Sequence, residues 1–144
     1  MAFQRPCFML NPAPTDDIKT GWSMTTLANL LVFLTALMHA GFLYLEMFLW
    51  TTPFGLKTFG MDAEQAETTR VLAANQGLYN GFLALGLLWG LVYPDPLVSF
   101  QLKLFFLLCV IAAAVYGAWS VKRRILYIQG GPAFVALLLV MVTS

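Results

Sequence analysis

Four apolar stretches decide what this chain can become: Leu27–Trp50, Val71–Tyr93, Leu97–Val121 and Ile125–Val142. Each comes near the ~20 residues that carry a helix across the hydrocarbon core of a bilayer. Charged residues make up only 10% of the chain and hydrophobic ones 60%, whereas soluble domains are roughly a quarter charged. The sequence therefore predicts an all-α membrane protein: one domain over residues 24–144, with spans at about 27–50, 63–93, 97–121 and 125–143. Residues 1–23 lack a continuous apolar region and a small-residue cleavage site, so they do not read as a secretory signal. Their prolines and aspartates predict a mobile leader, and Met24, where the first span opens, is an expected alternative start. Cys7 and Cys109 lie in the leader and deep in the third span, and are expected to stay unpaired.

The links between the spans set the order of the helices. "YPDP" (Tyr93 to Pro96) and "VKRR" (Val121 to Arg124) are short, which places consecutive helices side by side and antiparallel, in an up-down-up-down bundle. The first link is longer. In "TTPFGLKTFGM" Pro53 ends the first helix, and Phe54, Leu56 and Phe59 alternate with polar residues or glycine, as in an interfacial lid. Asp62 with Gln65 three residues on is an acidic variant of the capping box, so the second helix is expected to begin ahead of the membrane. Lys57, Arg70, Lys122, Arg123 and Arg124 fall on one side of the bundle. That side is predicted to be cytoplasmic, with both termini outside, in a bacterial inner membrane.

Small residues, among them Ala73, Gly77 and Gly81 at four-residue steps, predict close helix packing. They equally admit a homo-oligomer. Net charge is only +1, which gives no field for nucleic acid; membrane lipid is the expected surrounding partner.

A polar constellation interrupts this apolar background. At 100° per residue, His39, Glu46 and Trp50 share one stripe of the first span, and Thr35 extends it. In the second span Gln76 and Asn80 lie at i and i+4, with Asn75 about 100° away. Tyr116 belongs to the third span and Gln129 to the fourth. At ~1.5 Å per residue, Glu46, Gln76, Tyr116 and Gln129 lie roughly 6 to 9 Å in from the cytoplasmic ends, and His39 and Asn80 roughly 15 Å in. The expectation is a two-layer pocket to which all four helices contribute, covered by Lys57 and its loop. Ionisable groups inside spans are costly and tend to mark sites or pathways. Glu46 and His39 are accordingly the candidate catalytic residues, with Trp50, Asn75, Gln76, Asn80, Tyr116, Gln129 and Lys57 as ligand-binding candidates.

The runs "LEMFLWTTP.G", "FG", "VLAANQGLYNGFLA.GLLWG" and "FFL.CVI.A..YGA" resemble a family of small bacterial four-span proteins classified only as a domain of unknown function. The match covers Met24 to the C-terminus. It implies the architecture and carries no chemistry; the leader departs from the family pattern.

Three functional readings follow. In the first, the pocket binds a small apolar or amphiphilic molecule, or transforms it by acid/base chemistry such as double-bond or epoxide isomerisation. Glu46 and His39 would move protons, while Asn80, Gln76 and Tyr116 orient a substrate oxygen. The second is proton-coupled export through Glu46, as in the small multidrug resistance transporters, which are similar in size and span count. The third is a structural or partner-stabilising subunit. No cofactor is called for, since a lone His39 is less than the paired histidines of a membrane cytochrome. No phosphate loop, nucleophile motif or metal-ligand spacing is present.

Overall fold

A computed structural model describes the backbone of residues 16–143 and the side chains of residues 24–143. Met1–Thr15 of the expected leader therefore lie outside the described residues. The regular elements among them are helical: α1 (Asp16–Phe48), α2 (Pro53–Phe59), α3 (Ala63–Val92), α4 (Pro96–Ser120), a π turn (Leu126–Gly130) and α5 (Gly131–Val142). Met24–Phe48, Ala63–Val92 and Pro96–Ser120 are long and apolar enough to cross a membrane, while Leu126–Val142 is a shorter apolar segment.

Local chemistry sets the helix boundaries. The Asp62 carboxylate accepts from the Gln65 N–H at 2.8 Å, and that of Asp95 from the Val98 N–H at 2.9 Å. Each thereby satisfies one of the donors that a helix start leaves open. Pro96 follows Asp95 at the first helical position, where its missing N–H costs nothing. The first link is a helix rather than an irregular loop. Thr52 caps α2 through the Gly55 N–H, and Gly60 closes it in the left-handed region at φ 70. A side chain at position 55 would overlap the carbonyl oxygens of Leu49 and Trp50. The absence of one lets α2 fold back onto the end of α1.

The long helices bury small residues against one another. Val32 and Ala36 of α1, Leu87 of α3, Leu107 and Val110 of α4, and Ala133, Ala136 and Val140 of α5 belong to a single apolar cluster. Where α3 meets α4, the Phe106 ring rests on Gly86. Such approaches favour dispersion contact, which is what holds helices together where lipid removes the hydrophobic drive. α5 begins at a break in helical geometry. Pro132 has no N–H to give to the turn before it, and that turn is π-helical, closing with the Gly131 N–H on the Leu126 carbonyl.

Candidate functional site

The site grows from the inward faces of α1 and α3. On α3 the buried residues Ala66, Ala73, Gly77, Asn80, Ala84 and Leu87 recur at three, four and seven, a stripe of helical period. On α1 the buried set includes Val32, Thr35, Ala36 and His39. The two stripes meet with opposite polarity: Trp50 reaches Thr69, a Cβ at Gly77 would meet Glu46 and Met47, and His39 reaches Asn80. A Cβ on Gly77 would also lie 3.1 Å from the Leu43 carbonyl oxygen, so this glycine sets how near the polar residues of the two helices come.

Within that contact three side chains form a line. Asn80 Nδ2 donates to Glu46 Oε2 at 2.7 Å and lies 3.3 Å from the Gln76 carbonyl oxygen. Asn80 Oδ1 lies 2.8 Å from His39 Nδ1. The Gln76 carbonyl oxygen can only accept, as can the Glu46 side chain when ionised, and together they fix which way the amide points, because the reverse orientation would set two oxygens against each other. The amide oxygen must then receive a hydrogen from His39, which assigns the Nδ1–H tautomer. Nε2 is left with its lone pair. His39 is 1% exposed, and among the described residues Nε2 has no hydrogen-bond partner. The ring packs edge-on against Phe42 at 5.9 Å. Glu46 is half-buried, so the line runs from the edge of the helix pair to its interior.

The arrangement can separate charge. A proton arriving at Nε2 makes an imidazolium whose charge is felt by Glu46 through the aligned amide dipole, much as a buried acid supports a catalytic histidine. An amide does not itself pass a proton from one end to the other without becoming an imidic acid. The geometry thus leaves an electrostatic route, and no proton relay, between Glu46 and His39.

The other candidates are placed elsewhere. Asn75 and the side chain of Gln76 are exposed; Gln76 joins the line only through its main-chain oxygen. Tyr116 is 65% exposed and turns edge-on to Trp119. The inward stripe of α4 passes through Leu107, Val110 and Ala114, and Tyr116 is two residues, about 200°, beyond it. Gln129 is half-buried in the π turn, and Lys57 is exposed on α2. The expected convergence of four helices at one level is thus corrected to a meeting of two: among the described residues, no hydrogen bond joins Tyr116, Gln129 or Lys57 to Glu46, Asn80 or His39. Trp50 serves the link. Its indole N–H donates to Thr69 at 3.1 Å and its ring lies 4.5 Å from that of Phe59. It also lines an open hollow of about 450 Å³ with Met61, Asp62, Glu64, Gln65, Thr68 and Thr69.

One polar contact had no signal in the sequence. Lys103 of α4 donates to Asn29 Oδ1 of α1 at 3.3 Å, a pairing across 74 residues that no helical spacing announces. The edge contact of Phe42 with His39, by contrast, is an i, i+3 neighbour and legible from the wheel.

The chain is similar to an uncharacterised protein, YpaA, of Lactococcus lactis subsp. lactis (strain IL1403). They are 32% identical over 117 residues, covering 80% of this chain and 97% of that protein. No solved structure gives a significant match. The model of the family described as "Protein of unknown function (DUF1304)" matches residues 33–141, a range that contains His39, Glu46 and Asn80, and the chain belongs to that family.

Proposed function

We propose that this protein is a four-span, up-down-up-down bundle of the bacterial cytoplasmic membrane. In it Glu46, Asn80 and His39 form an intramembrane acid/base site for a small apolar or amphiphilic molecule. The observation that carries the site is the hydrogen-bonded line from Glu46 to His39, ending in a buried lone pair. His39 Nε2 is the proton acceptor, Asn80 holds the ring in the reactive tautomer, and Glu46 stabilises the charge that develops on it.

Two features support the four-span reading. The five-residue π turn and the twelve-residue α5 together meet the lower limit of about 17 residues for a crossing helix. Contacts between successive helices also run in opposite order: Gly86 and Gly90 face Phe106 and Lys103, and Gly117 and Ala114 face Ile125 and Gly130. The positive residues of the α1–α3 and α4–α5 links then favour a cytoplasmic position for both. Export through Glu46 would need that carboxylate to act without His39, since the amide between them does not conduct protons.

The test is native mass spectrometry of protein drawn from its own membranes, as wild type, Glu46→Gln and His39→Ala. The expected result is an apolar, non-phospholipid molecule retained by the wild type and depleted at least tenfold in both variants. Equal retention in all three would overturn the reading.

A further inference from the structure

The donor count around His39 points to a ligand class. Among the described residues the buried polar side chains are Thr35, His39 and Asn80. Thr35 donates its hydroxyl hydrogen to the Leu31 carbonyl at 2.8 Å. His39 gives its single ring hydrogen to Asn80, and the two amide hydrogens of Asn80 go to Glu46 and to the Gln76 carbonyl. Every hydrogen these three groups can give is committed. One strong acceptor, His39 Nε2, remains without a donor, and a buried acceptor left so costs about 1–3 kcal/mol. Apart from the engaged hydroxyl of Thr35, the neighbours along the two stripes are apolar: Ala36 and Phe42 stand at three residues on either side of His39, and beyond Asn80 the inward stripe of α3 continues with Ala84 and Leu87.

A molecule that completes this interior therefore brings one hydrogen-bond donor on an otherwise apolar body. It needs no acceptor, because every hydrogen of the buried polar side chains is already given. We propose, building on the acid/base reading of this site, that its ligand is a lipophilic alcohol whose hydroxyl donates to His39 Nε2. Such a molecule dissolves in the bilayer and reaches the interior between helices. A hydroxyl on Nε2 keeps its proton and shares it with the ring in an O–H to Nε2 hydrogen bond, the contact from which a general base works.

His39 is the only histidine of the chain, so uniform ¹⁵N-histidine labelling reports on it alone. The full chain in phosphatidylcholine nanodiscs is titrated with 1-decanol and, separately, with decyl methyl ether, which has similar bulk and an oxygen but no donor. The expected result is a bare Nε2 resonance that moves saturably toward the shielded side with decanol and stays within its linewidth with the ether. Equal responses to the two, no response to either, or an Nε2 already hydrogen-bonded by water and indifferent to decanol would each overturn the alcohol. The underlying reading fails differently. Asn80→Leu, or the milder Asn80→Ser, should release the Nδ1–H preference and abolish the decanol response. A ring whose tautomer ignores Asn80 in both variants would remove the acid/base site itself.

Discussion

His39 Nδ1 and Asn80 Oδ1 stand 2.8 Å apart across 41 residues of sequence, and the same amide turns its nitrogen to Glu46. An asparagine between a histidine and a glutamate ties all three into one unit. Removing the middle member should be worse than removing an end.

Asn80→Leu leaves the His39 ring N–H and the Glu46 carboxylate without their partner. The expected loss is about 1–3 kcal/mol, read from SDS-induced unfolding in mixed micelles. Adding His39→Leu should recover part of it, since two apolar groups replace a broken polar pair. If the double variant is less stable than Asn80→Leu alone, the contact is not what holds the pair.

Three glycines should rank by what their missing Cβ would touch. Gly55→Ala meets two carbonyl oxygens of the main chain and should cost about 1–3 kcal/mol, with loss of the Trp50–Phe59 contact visible in tryptophan fluorescence. Gly77→Ala, whose Cβ would lie 2.7 Å from Met47 Cγ and 3.1 Å from the Leu43 carbonyl, should come next. Gly81→Ala meets only the tip of the Leu43 side chain and should be mildest. A thermal-stability series in which Gly81→Ala is the most damaging would refute the packing of α1 on α3.

The two aspartate caps should behave alike. Asp62→Ala and Asp95→Ala are each expected to lose about 1 kcal/mol, with asparagine at either position nearly neutral because it offers the same acceptor. A larger loss for asparagine than for alanine would mean that charge, and not the cap, matters there.

The orientation rests on charge, and one position tests it. With Cys7 and Cys109 replaced by serine, Lys57→Cys on the exposed face of α2 should resist a membrane-impermeant maleimide in intact cells and react after lysis. Labelling in intact cells would invert the topology.

The long helices are legible because their existence depends on length and apolarity alone, and the Asp62 cap is legible because it acts within three residues, whereas Asp95 between its two prolines reads as turn chemistry and the short helix α2 as a lid. His39 and Glu46 were found by their seven-residue spacing, which the α-helical wheel preserves. Tyr116 and Gln129 share a depth with Glu46 but not a face. Their depth follows from the rise per residue, but the rotation of a helix about its own axis is settled by its neighbours. Ala114 and Gly130 meet where α4 packs on the π turn, with a Cβ on Gly130 only 3.2 Å from that of Ala114. That contact turns Tyr116 outward. The break before α5 was missed similarly: Pro132 is visible in the sequence, whereas the π turn that accommodates it is a collective property of the backbone.

The antiparallel contact of α1 with α3 carries one more consequence. Alanine and glycine ridges are nearly periodic, so two such helices in lipid could slide by a turn of about 5.4 Å and still find comparable packing. The polar groups make the slipped pairing unequal to the native one. A slide in either direction would bring the amide of Asn80 level with only one of its two partners and strand the other. The three residues thus work as a key that admits one alignment of the hairpin, in the way a single buried asparagine fixes the register of a coiled coil.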